Sequence, residues 1–283
     1  MTPVVAVIAP GAMGAAVGKR LTEHGVKVLT SLAGRSAGSV ARARDAGMIG
    51  ATDAEIAASD FILSILPPGE ALALVGRFAP ALKASNAEPV YADCNAINPA
   101  TVGQVAAAIA PTGCPFVDVG IIGAPPKGKD AGPRFYASGD AAPRFALLRQ
   151  YGLDVRVLDG APSAASALKM SYAGITKGTQ AIGAAMMLAA IRAGSAEALF
   201  DELSFSQKEL LAQFQQQLPQ MPAKAYRWVA EMQEIAGFAA DDPAARELYE
   251  GAAHFYARMA EDFAGDKKAV SRLKDFLAKR AEG

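Results

Sequence analysis

The sequence predicts an α/β fold: a doubly wound, mostly parallel sheet over residues 1–161, then an all-α domain over residues 162–283. Three observations carry this. Val4 to Ile8 is a short apolar run rich in β-branched residues, the pattern of a strand buried on both faces. Gly11, Gly14 and Gly18 follow it at once, and Ala15 to Leu21 then reads as a helix. Similar short strand patterns alternate with helical ones as far as Leu158, whereas from Ser163 onward only helical patterns remain.

Strand, glycine turn and helix in that order form the context of a dinucleotide-binding fingerprint, so the first domain is expected to be of the Rossmann type. A pyrophosphate approaches the backbone of Gly11, Ala12, Met13 and Gly14, where free N–H groups and the helix dipole favour negative charge. The fingerprint has one departure: Ala9 stands at the position of its first glycine.

Composition narrows the class. The chain of 283 residues is 52% hydrophobic and 20% charged, enough to build a sizeable core in one large or two ordinary domains. Lys+Arg and Asp+Glu balance at 28 each, so neither a nucleic-acid surface nor an acidic arm is expected. Cys94 and Cys114 have no metal-like spacing and fit a reduced, cytoplasmic compartment. No positively charged leader precedes the first strand, so no signal peptide is expected. Ala181 to Ile191, the most apolar later stretch, is interrupted by Gly183 and is too short to span a bilayer.

Val26 to Thr30 reads as the second strand, and its end bears on the cofactor. NAD-binding units place an acid there, about 20 residues beyond the glycine turn, on the ribose 2′-hydroxyl. No acid lies between Glu23 and Asp45; Ser31, Gly34, Arg35 and Ser36 stand there instead. A guanidinium flanked by hydroxyls suits a 2′-phosphate, so NADP(H) is the expected cofactor, with Arg35 and Ser36 as its contacts.

A helix (Val40 to Ala46), a small strand near Met48 and a helix near Ala54 to Ala58 follow. Asp60 to Leu66 is another buried strand, ended by Pro67-Pro68-Gly69, and this rigid turn at Leu66 and Pro67 is expected to wall the cofactor site. Pro89 to Asp93 is a strand and Ala100 to Ile109 a helix, with Asn98 its N-cap before Pro99. Asn95, at the carboxyl end of a strand with no capping duty, is a candidate contact for substrate or nicotinamide.

Pro115 to Ile122 is a strand, and a proline- and glycine-rich loop runs from Gly123 to Asp130. Its Lys127 and Lys129 read more simply as a solvated loop than as an anion trap. Arg134 to Ser138 and Leu153 to Leu158 are strands around a helix at Ala142 to Gln150, and the short return at Arg134 predicts a mixed edge to the sheet. The pattern changes at Gly160-Ala-Pro162. Helices are predicted over Ser163 to Arg192, Ala196 to Leu218, Ala223 to Ala236, Pro243 to Glu261 and Lys267 to Ala281. The basic residues Lys267, Lys268, Arg272 and Lys274 read as a solvated helix face.

Neither His24 nor His254 looks like a poised base, and no carboxylate–histidine cluster suggests a metal. On the long helix, Lys169, Ala173, Thr176 and Gln180 project within about 40° of one another, with Tyr172 to one side and Lys177 to the other. Lys169 is either a desolvated amine fit for proton transfer or a lysine running its stem along the surface; position alone does not choose between them.

The glycine turn, the Leu66-Pro-Pro turn, Asp93-Cys-Asn-Ala with Pro99, Asp118 to Gly123 and Leu168-Lys-Met resemble the β-hydroxyacid dehydrogenase superfamily. That group includes 3-hydroxyisobutyrate dehydrogenases, 6-phosphogluconate dehydrogenases and imine reductases. The resemblance covers residues 1 to about 190; beyond them the chain is similar to a 6-phosphogluconate dehydrogenase-like branch with its own helical C-terminal domain. The resemblance implies that Lys169 is the catalytic acid/base for a hydride transfer between NADP(H) and an alcohol/carbonyl pair. It sets Asn95 and Ala96 at the pair that positions substrate, Gly123 in the second substrate loop, and the helical domain in a homodimer interface. The sequence departs from the family where Ile121 and Ile122 precede Gly123 in place of Ser-Gly-Gly, and where Ala173 replaces an Asn. An apolar or aromatic substrate suits Ile122, Met170 and Tyr172 better than a small hydroxycarboxylate, with Thr176 a further contact. Imine reduction, a redox-neutral lyase or isomerase reaction, and an NADPH-binding module without turnover are the alternative readings.

Overall fold

A computed structural model describes residues 2–128 and 132–278. The expectation attached to Lys129 falls outside these residues, as does the end of the last predicted helix. The chain divides into two compact units, Met1–Met170 and Ser171–Gly283.

The first unit is built on one eight-stranded sheet. Its strands are β1 (Val4–Ile8), β2 (Lys27–Thr30), β3 (Ile49–Gly50), β4 (Phe61–Ser64), β5 (Val90–Asp93), β6 (Phe116–Ile122), β7 (Arg134–Ser138) and β8 (Asp154–Val157). They lie in the order β3-β2-β1-β4-β5-β6-β7-β8. All neighbours are parallel except β6 and β7, which pair antiparallel from Asp118↔Ser138 to Ile122↔Arg134. The mixed edge read from the short return at Arg134 is present.

Alternation along the strands divides the core into two layers. Val5, Val7, Leu63, Ala92, Val117, Val119, Phe135 and Ala137 face one side. They pack there with Val17 and Leu21 of α1 (Ala12–Glu23), Ala43 of α2 (Ala37–Asp45) and Phe145 of α6 (Ala142–Phe145). Ala6, Ile8, Ile62 and Tyr91 face the other side, against α3 (Asp53–Ala57), α4 (Ala71–Ala84) and α5 (Pro99–Ile109). Each fully buried large side chain, such as Phe78 or Leu82 on α4, contributes about 1.5–3 kcal/mol by leaving water.

Local signals set the boundaries. Asn98 accepts from the Thr101 amide at 3.0 Å and Pro99 occupies the first position of α5, as expected from the sequence. Thr52 and Glu55 form a capping box on α3. The predicted helix from Ala142 to Gln150 is in fact one α-helical turn followed by a 3-10 segment, Ala146–Tyr151.

α7 (Ala164–Ala193) is a single helix of 30 residues, and the division between the units falls within it. In the second unit it is followed by α8 (Ala196–Ser206), α9 (Lys208–Gln217), α10 (Pro222–Phe238), α11 (Pro243–Ala264) and α12 (Lys268–Leu277). The glycines of α7 admit bulky neighbours. A methyl on Gly183 would lie 2.4 Å from the Phe214 ring, and one on Gly174 would lie 2.8 Å from the Tyr249 hydroxyl. The helix predicted from Ala196 to Leu218 is two helices, broken at Gln207 (φ −136°, ψ 46°). No Gly or Pro marks the break. The Ser206 hydroxyl there donates to the Glu202 carbonyl at 2.9 Å. No helix among the described residues is long and apolar enough to cross a membrane.

Candidate functional site

The carboxyl ends of β1, β2, β4, β5 and β6 bear the site. Gly11, the N-cap of α1, is extended and offers no side chain to the helix, and the first turn carries no acid. Ala15 N–H makes the first helical bond, to Gly11 O at 2.9 Å. The N–H groups of Ala12, Met13 and Gly14 therefore have no intrahelical acceptor and suit an anion. The glycines differ in their duties. A Cβ on Gly14 would lie 2.0 Å from Ala9 O, and one on Gly18 2.7 Å from Met48 Sδ, whereas one on Gly11 would meet nothing within 4 Å. Gly14 and Gly18 let α1 close on the sheet, and Gly11 leaves space at the helix end. Ala9 itself is buried in the core beside Ile8, so its methyl group does not enter that space. The turn fits a dinucleotide pyrophosphate despite the alanine.

Beyond β2, Ser36 caps α2, accepting from Ser39 N–H at 3.3 Å. The half-buried Arg35 has no side-chain partner among the described residues. Arg42 of α2, which the sequence did not single out, ties that helix to the glycine turn: its Nε donates to Pro10 O at 3.0 Å, and its Nη2 donates to Ser39 Oγ on the same helix at 2.8 Å. The buried Ser31 hydroxyl accepts from Arg77 Nη2 at 2.7 Å, and Arg77 also pairs with Asp53.

Asn95 is 3% exposed, and its amide holds the neighbouring turn. Leu66 N–H donates to its Oδ1 at 2.6 Å, and its Nδ2 donates to Ser64 Oγ at 2.9 Å and Asp93 Oδ2 at 3.0 Å. Both amide hydrogens are engaged within the protein. The geometry makes Asn95 the clasp that sets Leu66 and, through it, the turn at Pro67.

At β6 three successive contacts seat α7. The carboxylate of Asp118 accepts from Ser166 N–H at 2.8 Å and Ser166 Oγ at 2.6 Å. Gly120 is bare because a Cβ there would lie 2.6 Å from Ala165 O and 3.3 Å from Lys169 Cβ. Lys169 Nζ then donates to Ile121 O at 2.8 Å. By strand alternation Ile122 shares the face of Asp118 and Gly120, the face on which Lys169 lies. Gly123, exposed at φ 130°, lies close to Pro133.

Further along α7 the expected stripe divides. Tyr172 is exposed, but Met170, Ala173 and Gln180 are buried, so Met170 is core and not a substrate contact. The Thr176 hydroxyl donates to Tyr172 O at 2.8 Å, one turn back on its own helix.

Residues 4–168 match the NAD binding domain of 6-phosphogluconate dehydrogenase. The chain belongs to that family. Residues 190–259 match a domain of unknown function, DUF1932. Among solved structures, a conserved protein of unknown function described as similar to 3-hydroxyacid dehydrogenases is 28% identical, with a TM-score of 0.69 over 95% of this chain and 98% of that one. The fold is shared with the 3-hydroxyisobutyrate dehydrogenase of Mycobacterium tuberculosis (22% identity, TM-score 0.68, 97% and 100% of the two chains). It is also shared with an imine reductase from Myxococcus stipitatus bound to NADP+ (18%, TM-score 0.54, 97% and 100%). No curated protein sequence matches the chain.

Within this 6-phosphogluconate dehydrogenase-type domain, the buried acids were missed by sequence reasoning. Ser64, Asp93, Asp118 and Ser138 stand in register across four strands, each 1% exposed or less. Burial pushes Asp93 up to about 7, against the pull of the Asn95 backbone and side-chain bonds, and the Asp118 charge adds to the rise. Burial also raises Asp118, opposed by its bonds to Ser166. Their one signal in the sequence was an acid within each of two successive apolar strands, Asp93 at the end of β5 and Asp118 inside β6.

Proposed function

We propose that the protein is an NADP(H)-dependent oxidoreductase acting on an alcohol/carbonyl pair, with Lys169 as its acid/base. The observation that carries this reading is the seating of the Lys169 ammonium on Ile121 O at the end of β6. Membership of a nicotinamide-nucleotide-binding family supports it, as do neighbours of the same fold that include a hydroxyacid dehydrogenase and imine reductases bound to NAD+ and NADP+.

The bound nicotinamide supplies the hydride in reduction and takes it in oxidation. The chain's own work is to hold the pyrophosphate on the uncapped start of α1 and the 2′-phosphate at Arg35 and Ser36, with Arg42 tying α2 to the glycine turn. In reduction the Lys169 ammonium gives a proton to the carbonyl oxygen as hydride reaches the carbon; in oxidation the neutral amine takes the hydroxyl proton. Ile122 presents no polar group on its face of β6, which suits an apolar or aromatic substituent.

A homodimer through the helical domain is part of the same reading. Tyr172, Ile175, Ile182 and Met186 are 49%, 69%, 51% and 58% exposed on α7, at steps of three, seven and four residues that keep them on one helix face.

The test is a screen of ketones, aldehydes and cyclic imines followed at 340 nm, the NADPH absorbance band, with Lys169→Ala beside the wild type. Carbonyl reduction that falls by about 10²–10⁴ in the variant, with NADPH affinity kept, supports the reading. Turnover of imines alone, or product formed with no net absorbance change, overturns it.

A further inference from the structure

We infer that Asp118, acting through Ser166, is a positioning residue for Lys169; the inference rests on the acid/base role proposed above for that lysine. The start of α7 is held by other parts of the chain to an unusual degree. Ala165 N–H donates to Ser138 Oγ at 3.0 Å and Ser166 N–H to Asp118 Oδ2 at 2.8 Å. Two of the helix's leading N–H groups, which a helix normally satisfies with its own N-cap or with water, are thus satisfied by strands β7 and β6. Ser138 Oγ lies 3.2 Å from Asp118 Oδ2 and 3.0 Å from Pro162 O, so its one proton serves one of these acceptors.

Ser166 binds Asp118 twice, through N–H and Oγ, and no cation lies among the bonds that hold this carboxylate. The two contacts fix the translation of α7 along β6 and its rotation about its own axis. Lys169 is three residues on, on the same face of the helix. Gly120 lies between the two anchoring points and lets the backbones close, so Asp118, Gly120 and Ile121 act as one rail. Removing the Asp118–Ser166 bond allows the helix start to turn, and the ammonium then loses its fixed distance to a substrate oxygen. An error of this size affects the chemical step more than binding.

The experiment is a double-mutant cycle on the full chain. Ser166→Ala removes the 2.6 Å bond and keeps the carboxylate and the Ser166 N–H; Asp118→Asn is the stronger variant, and Ser166→Thr restores a hydroxyl. In the enzyme with Lys169, Ser166→Ala is expected to lower kcat about tenfold, the loss expected for one hydrogen bond to a charged group. KM and NADPH affinity stay unchanged, the limb of the pH–rate profile that Lys169→Ala removes is displaced, and Ser166→Thr recovers the rate. In the Lys169→Ala background the same substitution is expected to change the residual rate less than twofold. Equal losses in both backgrounds, or no loss with Lys169 present, overturn the inference while leaving the lysine's role intact. Wild-type activity in Lys169→Ala overturns both.

Discussion

Gly14 lies so near the carbonyl oxygen of Ala9 that a Cβ would sit 2.0 Å from it, while the Cβ of a residue at Gly11, three positions earlier, would stand in open space. Gly14→Ala is therefore expected to force α1 away from β1 and to cost about 2–3 kcal/mol, the upper range of overpacking. Gly11→Ala is expected to leave the unfolding midpoint where it is and to weaken NADPH about tenfold. Thermal unfolding and a fluorescence titration measure the two effects; equal destabilisation by both variants contradicts the division of duties.

Arg35 and Arg42 are expected to separate in a cofactor titration. Arg35 has no protein partner among the described residues, so Arg35→Ala weakens NADPH at least tenfold and leaves NADH unchanged. Arg42 holds Pro10 O, on the glycine turn common to both cofactors, so Arg42→Ala weakens both. Equal affinity of the wild type for NADH and NADPH contradicts the assignment of Arg35.

Asp93 makes stability fall with rising pH. Its folded value of about 7 lies above the ordinary 3.8, so between those values the folded state keeps a proton that the unfolded chain has released. Stability is lost through that window and levels off above it. At about 1.4 kcal/mol per pH unit the loss is on the order of 4 kcal/mol, and Asp118 shifts in the same direction. Urea unfolding at pH 5 and pH 8 is expected to show a smaller difference for Asp93→Asn than for the wild type. Parallel behaviour of the two proteins contradicts the assignment.

In the second unit, Lys177 and Glu231 form an ion pair with side chains 15% and 18% exposed. The ammonium also lies 5.1 Å from the centroid of the Trp228 ring. Removing one partner strands the other charge away from water, so Glu231→Ala is expected to cost about 3 kcal/mol. The double variant Lys177→Met/Glu231→Leu is expected to recover most of that loss. Additive losses contradict this account.

The exposed seam of α7 gives a test of assembly. Ile175→Glu with Ile182→Glu is expected to shift the protein from dimer to monomer in sedimentation while the unfolding midpoint of the first unit stays unchanged. A wild type that sediments as a monomer contradicts the proposed dimer.

The legible parts of this fold are those decided by near neighbours. The bounds of β7, the cap at Asn98, the length of α7 and the reversal at the sheet edge all follow from residues within a few positions of each other. The break at Gln207 carries no Gly or Pro, so residue type alone does not mark it. The candidate site was legible as a set of residue types at the carboxyl ends of strands. Its wiring was not. Asp118 and Ser166 are 48 positions apart, and their bond exists because Gly120 lets α7 close on β6. Two of the partners of Asn95, Leu66 and Ser64, are likewise 29 and 31 positions away, and the burial of Met170 depends on packing that helical periodicity alone does not specify.

The pairing of β6 with β7 has a consequence for how such a protein diversifies. Five matched pairs, Asp118↔Ser138 through Ile122↔Arg134, secure the two strands, and Ile121 O, which accepts from Lys169 Nζ, belongs to that paired segment. The described loop residues 123–128 and 132–133 lie beyond the last pair. On the role proposed for Lys169, exchanges in that loop are expected to leave the Ile121 anchor in place, so that substrate choice changes while the proton-handling group is kept.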